Sequence, residues 1–268
     1  MMAQIEQWPG PAQLFLWHGQ ALYIGRSPSS TFHQHLALQI GVGLGQPIYI
    51  RTKETAPYQP AQGFLVHPHT AHQIDAADVP ALFIWTELLP AGPLMSMEDA
   101  YAGIVHLEPS LVEFLLRPLR AAEQQPLDCA TARLLLEHVV DTLLPKPNER
   151  PLIDERIAAL MRAIEEGFFE EHSRPITLLA RTLHLSPSRL RHLFHAQTGL
   201  ALQRYILWHR LLRALRYSAS ASSLTTAAHD AGFADLAHLS RVFRATFGLT
   251  PSEIFKDSHS VQVTPCLL

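Results

Sequence analysis

A chain of 268 residues, 47% hydrophobic and 17% charged, is long enough to bury two separate cores, and its composition is that of an ordinary globular protein. No apolar run approaches the ~18 residues needed to cross a bilayer, and the start MMAQIEQWPGPAQLF lacks the basic residues of a secretory leader, so no membrane association and a cytoplasmic location are expected. The net charge of −3 conceals a split: residues 1–150 hold 8 Lys/Arg against 14 Asp/Glu, whereas residues 172–256 hold 11 against 3. A basic segment inside an acidic protein points to a local polyanion-binding surface. Cys129 and Cys266 lie far apart and show neither metal-type nor redox spacing, which predicts two reduced, unremarkable thiols.

In chain order, residues 1 to about 105 read as β. Short apolar runs at 21–24, 36–44, 48–52, 63–66 and 81–85 are separated by Pro, Gly and polar punctuation. Strands at this spacing suggest a small barrel or sandwich. Within them, Phe32-His33-Gln34-His35 with Gln39, and then GFLVHPHTAH at 63–72 ending in His72, resemble the two short motifs of cupin barrels. Alternation along a strand would send His33 and His35 to one face. In metal-binding cupins a His-x-His pair, an acid and a later His converge, but here Gln39 stands at the acid position, and a neutral amide is a poorer partner for a divalent ion. His33, His35, Gln39 and His72 are therefore candidates for an effector pocket with hydrogen-bonded histidines, or for a divalent metal site; no cofactor is certain.

Residues 109–123 and 128–144 carry Leu111, Phe114 and Leu115, then Leu134, Leu135 and Val139, at helical spacing, predicting an antiparallel helix pair. PKPNERP at 145–151 has three prolines and no apolar residue and reads as a linker. The boundaries drawn are 1–147 for the first domain, 148–152 for the linker, 153–257 for the second domain and 258–268 for a tail. Beyond the linker, Ile157, Leu160, Met161, Ile164 and Phe168 share one helical face, and residues 200–217 form a longer helix with Tyr205 and Trp208 directed to the core.

Residues 176–255 hold two copies of one pattern. LLARTLHLSPSRLRHLFHAQTGL and AAHDAGFADLAHLSRVFRATFGL superpose with an offset of 49 from the helix caps onward, Asp235 on Ser186 and Gly248 on Gly199. Upstream the offset is 48, Ala228 on Ala180 and Gly232 on His184. Such a duplication is difficult to produce by chance. Ser186 before Pro187, and Asp235 in the second copy, supply N-cap oxygens, placing both near phosphate if the helices meet DNA. The stripe Leu190, Leu193, Phe194, Gln197 leaves Ser188, Arg191, His192 and His195 outward. In the second copy Leu239, Val242, Phe243 and Thr246 leave Leu236, Ala237, Ser240, Arg241 and Arg244 outward. Arg191 and Arg241 can each give two hydrogen bonds to a guanine edge, worth about 1–3 kcal/mol of discrimination. Leu236 and Ala237 are apolar where polar readers are expected, so base discrimination falls mainly to the first copy and anchoring to the second.

At Leu179-Ala180, Leu185-Ser186, Leu190, Phe194 and Gly199-Leu200, then Ala231-Gly232-Phe233, Asp235, His238-Leu239-Ser240-Arg241-Val242-Phe243 and Phe247-Gly248-Leu249-Thr250-Pro251, the chain resembles the DNA-binding domain of the AraC/XylS family of bacterial transcription regulators. His184 departs from that pattern, standing where relatives have the turn glycine. The resemblance implies an α+β protein of two domains: a cupin-like N-terminal β-barrel with a helix pair, and an all-α domain of two helix-turn-helix units joined by a long helix. It implies a regulator rather than an enzyme, with promoter DNA as partner, RNA polymerase if it activates, a small effector of unknown identity and a homodimer through 109–144. The alternatives are a cupin-type metalloenzyme with a helical appendage, and a regulator whose barrel binds nothing.

Overall fold

The computed structural model describes residues 8, 10–76, 78–87, 103–121, 126–144, 153–167, 175–221, 223–255 and 261–266. The predicted linker lies outside them, as does Phe168. The chain divides into two compact units. One holds residues 1–87, 101–146 and 240–268, and the other holds 88–100 and 147–239.

The first unit is built on strands β1 (Gln13–Trp17), β2 (Gln20–Arg26), β3 (Leu38–Gly43), β4 (Ile48–Arg51), β5 (Gln59–Ala61), β6 (Gly63–Val66), β7 (Gln73–Asp75), β8 (Pro80–Thr86), β9 (Ile104–His106) and β10 (Gln262–Pro265). They form a seven-stranded sheet of order β10-β1-β2-β8-β3-β6-β9 and a three-stranded sheet of order β5-β4-β7. All five predicted runs are strands. The added ones escaped for a simple reason: β5, β7 and β9 are three residues long, too short to show alternation, and β1 (QLFLW) is buried throughout, so its pattern is continuous rather than alternating. Leu22, Ile24, Ile40, Val42, Phe64 and Ile84 are each at most 1% exposed, each worth roughly 1.5–3 kcal/mol of burial. The pairing of Gly41 with Phe64 is one of close approach, since a Cβ at Gly41 would stand 2.4 Å from the Phe64 ring.

Helices α1 (Pro109–Leu115), α2 (Arg117–Ala121) and α3 (Cys129–Leu143) form the predicted pair with one break. Pro118 cannot donate to the carbonyl four residues back, so the first helix stops at Leu116 and restarts. Val112, Leu115, Leu116 and Leu119 are buried with Ala132, Leu135, Leu136 and Val139, whereas Phe114 and Leu134, predicted to share the apolar faces, are 39% and 65% exposed. The Gln13 side chain fastens the approach to α3, donating to Leu127 O at 3.0 Å and accepting from Leu127 N at 2.9 Å.

Two sequence expectations change here. Residues 258–268, read as a tail, contain β10, which pairs in parallel with β1 over Gln13↔Gln262 to Leu16↔Pro265. The cysteines read as reduced thiols form a disulfide, Cys129 to Cys266, across a sequence separation of 137. Their distance along the chain concealed the contact: β10 returns to the edge of the first sheet beside the start of α3.

In the second unit, α4 (Glu155–Glu166), α5 (Pro175–Thr182), α6 (Pro187–Thr198), α7 (Leu202–Ser218) and α8 (Leu224–Asp230) follow in order. The long helix α7 supplies the core residues expected of it, Tyr205 and Trp208, 0% and 2% exposed. Its Arg213 is also buried and donates to Ile164 O at 3.1 Å and Glu165 O at 3.0 Å, satisfying the last carbonyls of α4. One of the eleven basic side chains counted above therefore serves the core rather than the surface. Helix α9 (Leu236–Phe247) crosses the boundary between the units, and α10 (Pro251–Phe255) follows it, with Glu253 accepting from Thr250 N and Oγ1 in a capping box.

Candidate nucleic-acid interface

The two repeats fold alike at their turns. His184 N donates to Arg181 O at 3.0 Å and Leu185 N to Ala180 O at 2.7 Å; 48 residues on, Gly232 N donates to His229 O at 2.9 Å and Phe233 N to Ala228 O at 2.9 Å. Both turn residues have positive φ, 54° at His184 and 80° at Gly232. The histidine thus occupies the left-handed conformation that its position demands, at a cost glycine avoids.

Each turn delivers the chain to a capped helix. Ser186 accepts from Arg189 N at 3.1 Å and Asp235 Oδ1 from His238 N at 2.6 Å. Helix α6 ends at Gly199, φ 69°, and Gly248, φ 73°, holds the matching place after α9. The inward stripes are narrower than the sequence suggested. Leu190 and Phe194 are fully buried in α6, together with Thr198, while Leu193 and Gln197 are half-buried. Gln197 has a structural task, accepting from Asp154 N at 2.8 Å at the start of α4. There the Asp154 carboxyl is held down at about 2 by hydrogen bonds from Arg156, from its side chain first and then its backbone.

The outward set of α6, Ser188, Arg191, His192 and His195, is exposed in full. Arg189 is exposed as well; the sequence reading passed over it, although its place one turn from Ser186 was a usable signal. In α9, Ala237, Arg241 and Arg244 are exposed, while Leu236 and Ser240 are half-buried. Arg244 is within 3.8 Å of Glu253, an exposed pair of small energetic consequence. Two capped helices, each with oriented N–H groups at its start and arginines along its exposed face, are suited to phosphate and base edges. Residues 179–257 match a family model described as a helix-turn-helix domain. The arabinose operon regulatory protein of Salmonella typhimurium is 32% identical over 122 residues, covering 44% of this chain and 43% of that protein. This part of the chain is thus similar to regulators of the AraC/XylS type. The uncharacterized HTH-type transcriptional regulator YijO of Escherichia coli is 27% identical over 155 residues, covering 57% of this chain and 55% of that protein, so the chain spans about half the length of the curated relatives it matches. The fold agrees over most of the chain with that of apo ToxT K231A from Vibrio cholerae, at a TM-score of 0.53 and 11% identity, covering 89% of this chain and 97% of that one.

The second group of candidate residues also comes together. His33 and His72 are joined by a two-way backbone bridge, each amide donating to the other's carbonyl at 2.9 Å, and their rings are 4.2 Å apart. His35 and His72 approach the Gln39 amide oxygen with Nε2 at 2.9 and 3.0 Å. One ring nitrogen from each of His33, His35 and His72 lies within 4.8 Å of those of the other two. Burial lowers the pKa of all three, His33 to about 4, and repulsion from a neighbouring histidine adds to this at His33 and His72, which favours the neutral rings. His33 and His35 sit in a loop before β3 rather than on the alternating strand expected, with their rings 5.8 Å apart.

The same loop touches the end of α9. Thr31 N and Oγ1 both donate to Gly248 O at 2.8 Å, Gln34 N donates to Ala245 O at 3.4 Å, and Trp85 meets Phe247 edge-on at 6.0 Å. Nothing in the sequence pattern indicated this contact, because both partners read as complete in themselves.

Proposed function

We propose that this protein is a sequence-specific, DNA-binding transcription regulator rather than an enzyme, and that promoter DNA is its partner. The observation that carries the reading is the repeated capped helix with an exposed cationic face, Arg191 on α6 and Arg241 and Arg244 on α9. In this reading Ser188, Arg191, His192 and His195 read bases, while Ser240, Arg241 and Arg244 hold the backbone, Leu236 and Ala237 adding apolar contact. The N-terminal unit acts as a cupin-like sensor for a small effector, and α1 and α3, with Phe114 and Leu134 exposed, form a homodimer contact. The location is cytoplasmic; among the described residues no helix is long and apolar enough to cross a membrane. RNA polymerase is a partner if the protein activates.

The test is selection of genomic fragments by the purified protein followed by mobility shift. Retarded fragments sharing a motif are expected, bound more weakly and with relaxed preference at one base position in Arg191→Ala. Affinity should fall steeply with salt, since each phosphate contact releases counterions. A salt-independent interaction, or one unchanged by Arg191→Ala and Arg241→Ala together, overturns the reading.

A further inference from the structure

We propose that the Cys129–Cys266 disulfide is a reversible redox clasp: an external dithiol opens it in the folded protein, and opening it releases β10 from the edge of the first sheet. The clasp serves the regulator as a redox sensor, and that use alone rests on the reading given under Proposed function.

The two cysteines stand on elements held with very different strength. Cys129 opens α3, whose start is capped by Asp128 accepting from Thr131 N at 2.7 Å and whose Ala132, Leu135, Leu136 and Val139 are buried. Gln13 of β1 ties down the segment before α3 through both its amide atoms, so this side stays in place without the sulfur. Cys266 follows a four-residue strand at the end of the sheet order, with β1 as its one neighbour among the described residues. Gln262 and Pro265 of β10 are exposed, Val263 and Thr264 only half-buried, and Pro265 has no N–H to give the ladder. Gln262 N donates to Ala12 O at 2.8 Å and Cys266 N to Leu16 O at 3.0 Å. Hydrogen bonds of this kind roughly balance the entropy of ordering so short a strand, and apolar burial adds little. The covalent bond therefore supplies most of what keeps β10 in register.

Such a bond can be reached and reversed. Cys129 is half-buried and Cys266 buried, so an incoming thiolate meets Cys129 Sγ. The Cys129–Cys266 bond breaks as a bond from the reductant to Cys129 forms, and the electron pair leaves on Cys266 Sγ, which takes a proton. The reductant's second thiolate then attacks its own sulfur in the mixed disulfide and expels Cys129, which is protonated in turn. Two electrons and two protons reach the protein, and the dithiol ends as a disulfide; an external disulfide runs the exchange backwards. In a reducing compartment a disulfide of this kind is a sensing bond rather than a permanent one. What the clasp limits is the reach of the second repeat. Phe255, the end of α10, precedes Gln262 by seven positions, so the closed bond keeps the end of α10 within about 25 Å of the place where Gln262 pairs with β1. Opening the bond lifts that limit.

The experiment compares the oxidised full chain with the same protein treated with dithiothreitol in native buffer, by thiol alkylation with mass detection and by amide hydrogen exchange. Both cysteines should become alkylated without denaturant. In the reduced, unalkylated protein, exchange at the Gln262 and Cys266 amides should speed at least tenfold while that at Trp208 and Leu211 in α7 stays the same, and glutathione disulfide should restore the slow exchange. Cys129→Ser, which leaves β10 untouched, should show the fast exchange with or without dithiothreitol; if that variant misfolds, the reduced wild type decides. A bond that resists dithiothreitol until the protein unfolds, or that opens with unchanged exchange at Gln262 and Cys266, overturns the clasp. Faster exchange in α7 together with β10 overturns it too, since that is global loosening. Mobility shift of one selected fragment by the two forms tests the sensor: affinities at least threefold apart are expected, and equal affinities remove the sensing role. Failure of both forms to bind any fragment strikes the DNA-binding reading and leaves the clasp standing.

Discussion

His184 and Gly232 hold equivalent places in the two turns with φ of 54° and 80°, and a single side chain separates them energetically. Left-handed backbone costs an L-residue roughly 1–2 kcal/mol, less for His than for a β-branched residue. Gly232→Ala should therefore destabilise the protein by about 1–2 kcal/mol, and His184→Gly should gain up to about 1 kcal/mol, both read by urea denaturation. A loss in His184→Gly equal to that in Gly232→Ala would mean the imidazole itself is used. This departure was legible in the sequence because the repeat supplied its own reference: the second copy shows what the first should contain. The convergence of His33, His35, Gln39 and His72 was legible as residue types at suggestive spacing. The carbonyls that hold each Nδ1 were not, because they belong to Thr31, Ala37 and Thr70, whose side chains announce nothing.

The capped helices α6 and α9 are the best-specified elements, since cap, buried stripe and glycine stop all fall within one short window of sequence. Replacing Ser186 or Asp235 with Ala should cost about 1 kcal/mol each, measured by thermal unfolding. If the exposed faces bind DNA as proposed, Arg244→Ala should lower the salt slope by about one phosphate's worth and weaken all sequences alike, while Arg191→Ala should relax preference at one base position. Equal loss of sequence preference in both variants would remove the division of labour between the two helices. At this scale the sequence misled in the helix pair. Helical spacing assigned Phe114 and Leu134 to apolar faces, yet both are exposed, and spacing cannot tell a face covered by the same chain from one left open.

The scale of the whole chain held the largest surprises, because contacts between distant segments leave no local mark. Strand β10 joins β1 across about 250 positions, and Cys129 meets Cys266 across 137. The first domain drawn from sequence, ending at 147, leaves out the strand that completes its own sheet. Cys266→Ser should lower stability, by at most about 5 kcal/mol if loop-closure entropy in the unfolded chain were the only contribution, measured by denaturation with and without reductant. A variant as stable as the oxidised protein would mean the bridge contributes nothing to folding. The disulfide has a further consequence for how the molecule can be taken apart. Residues 129 to 266 form a covalently closed ring that contains α3 through α10 and both helix-turn-helix repeats. One protease nick at 145–152 would open that ring without releasing anything: under denaturing, non-reducing conditions the oxidised protein should still migrate as one species, and it should separate into two only when the bond is reduced.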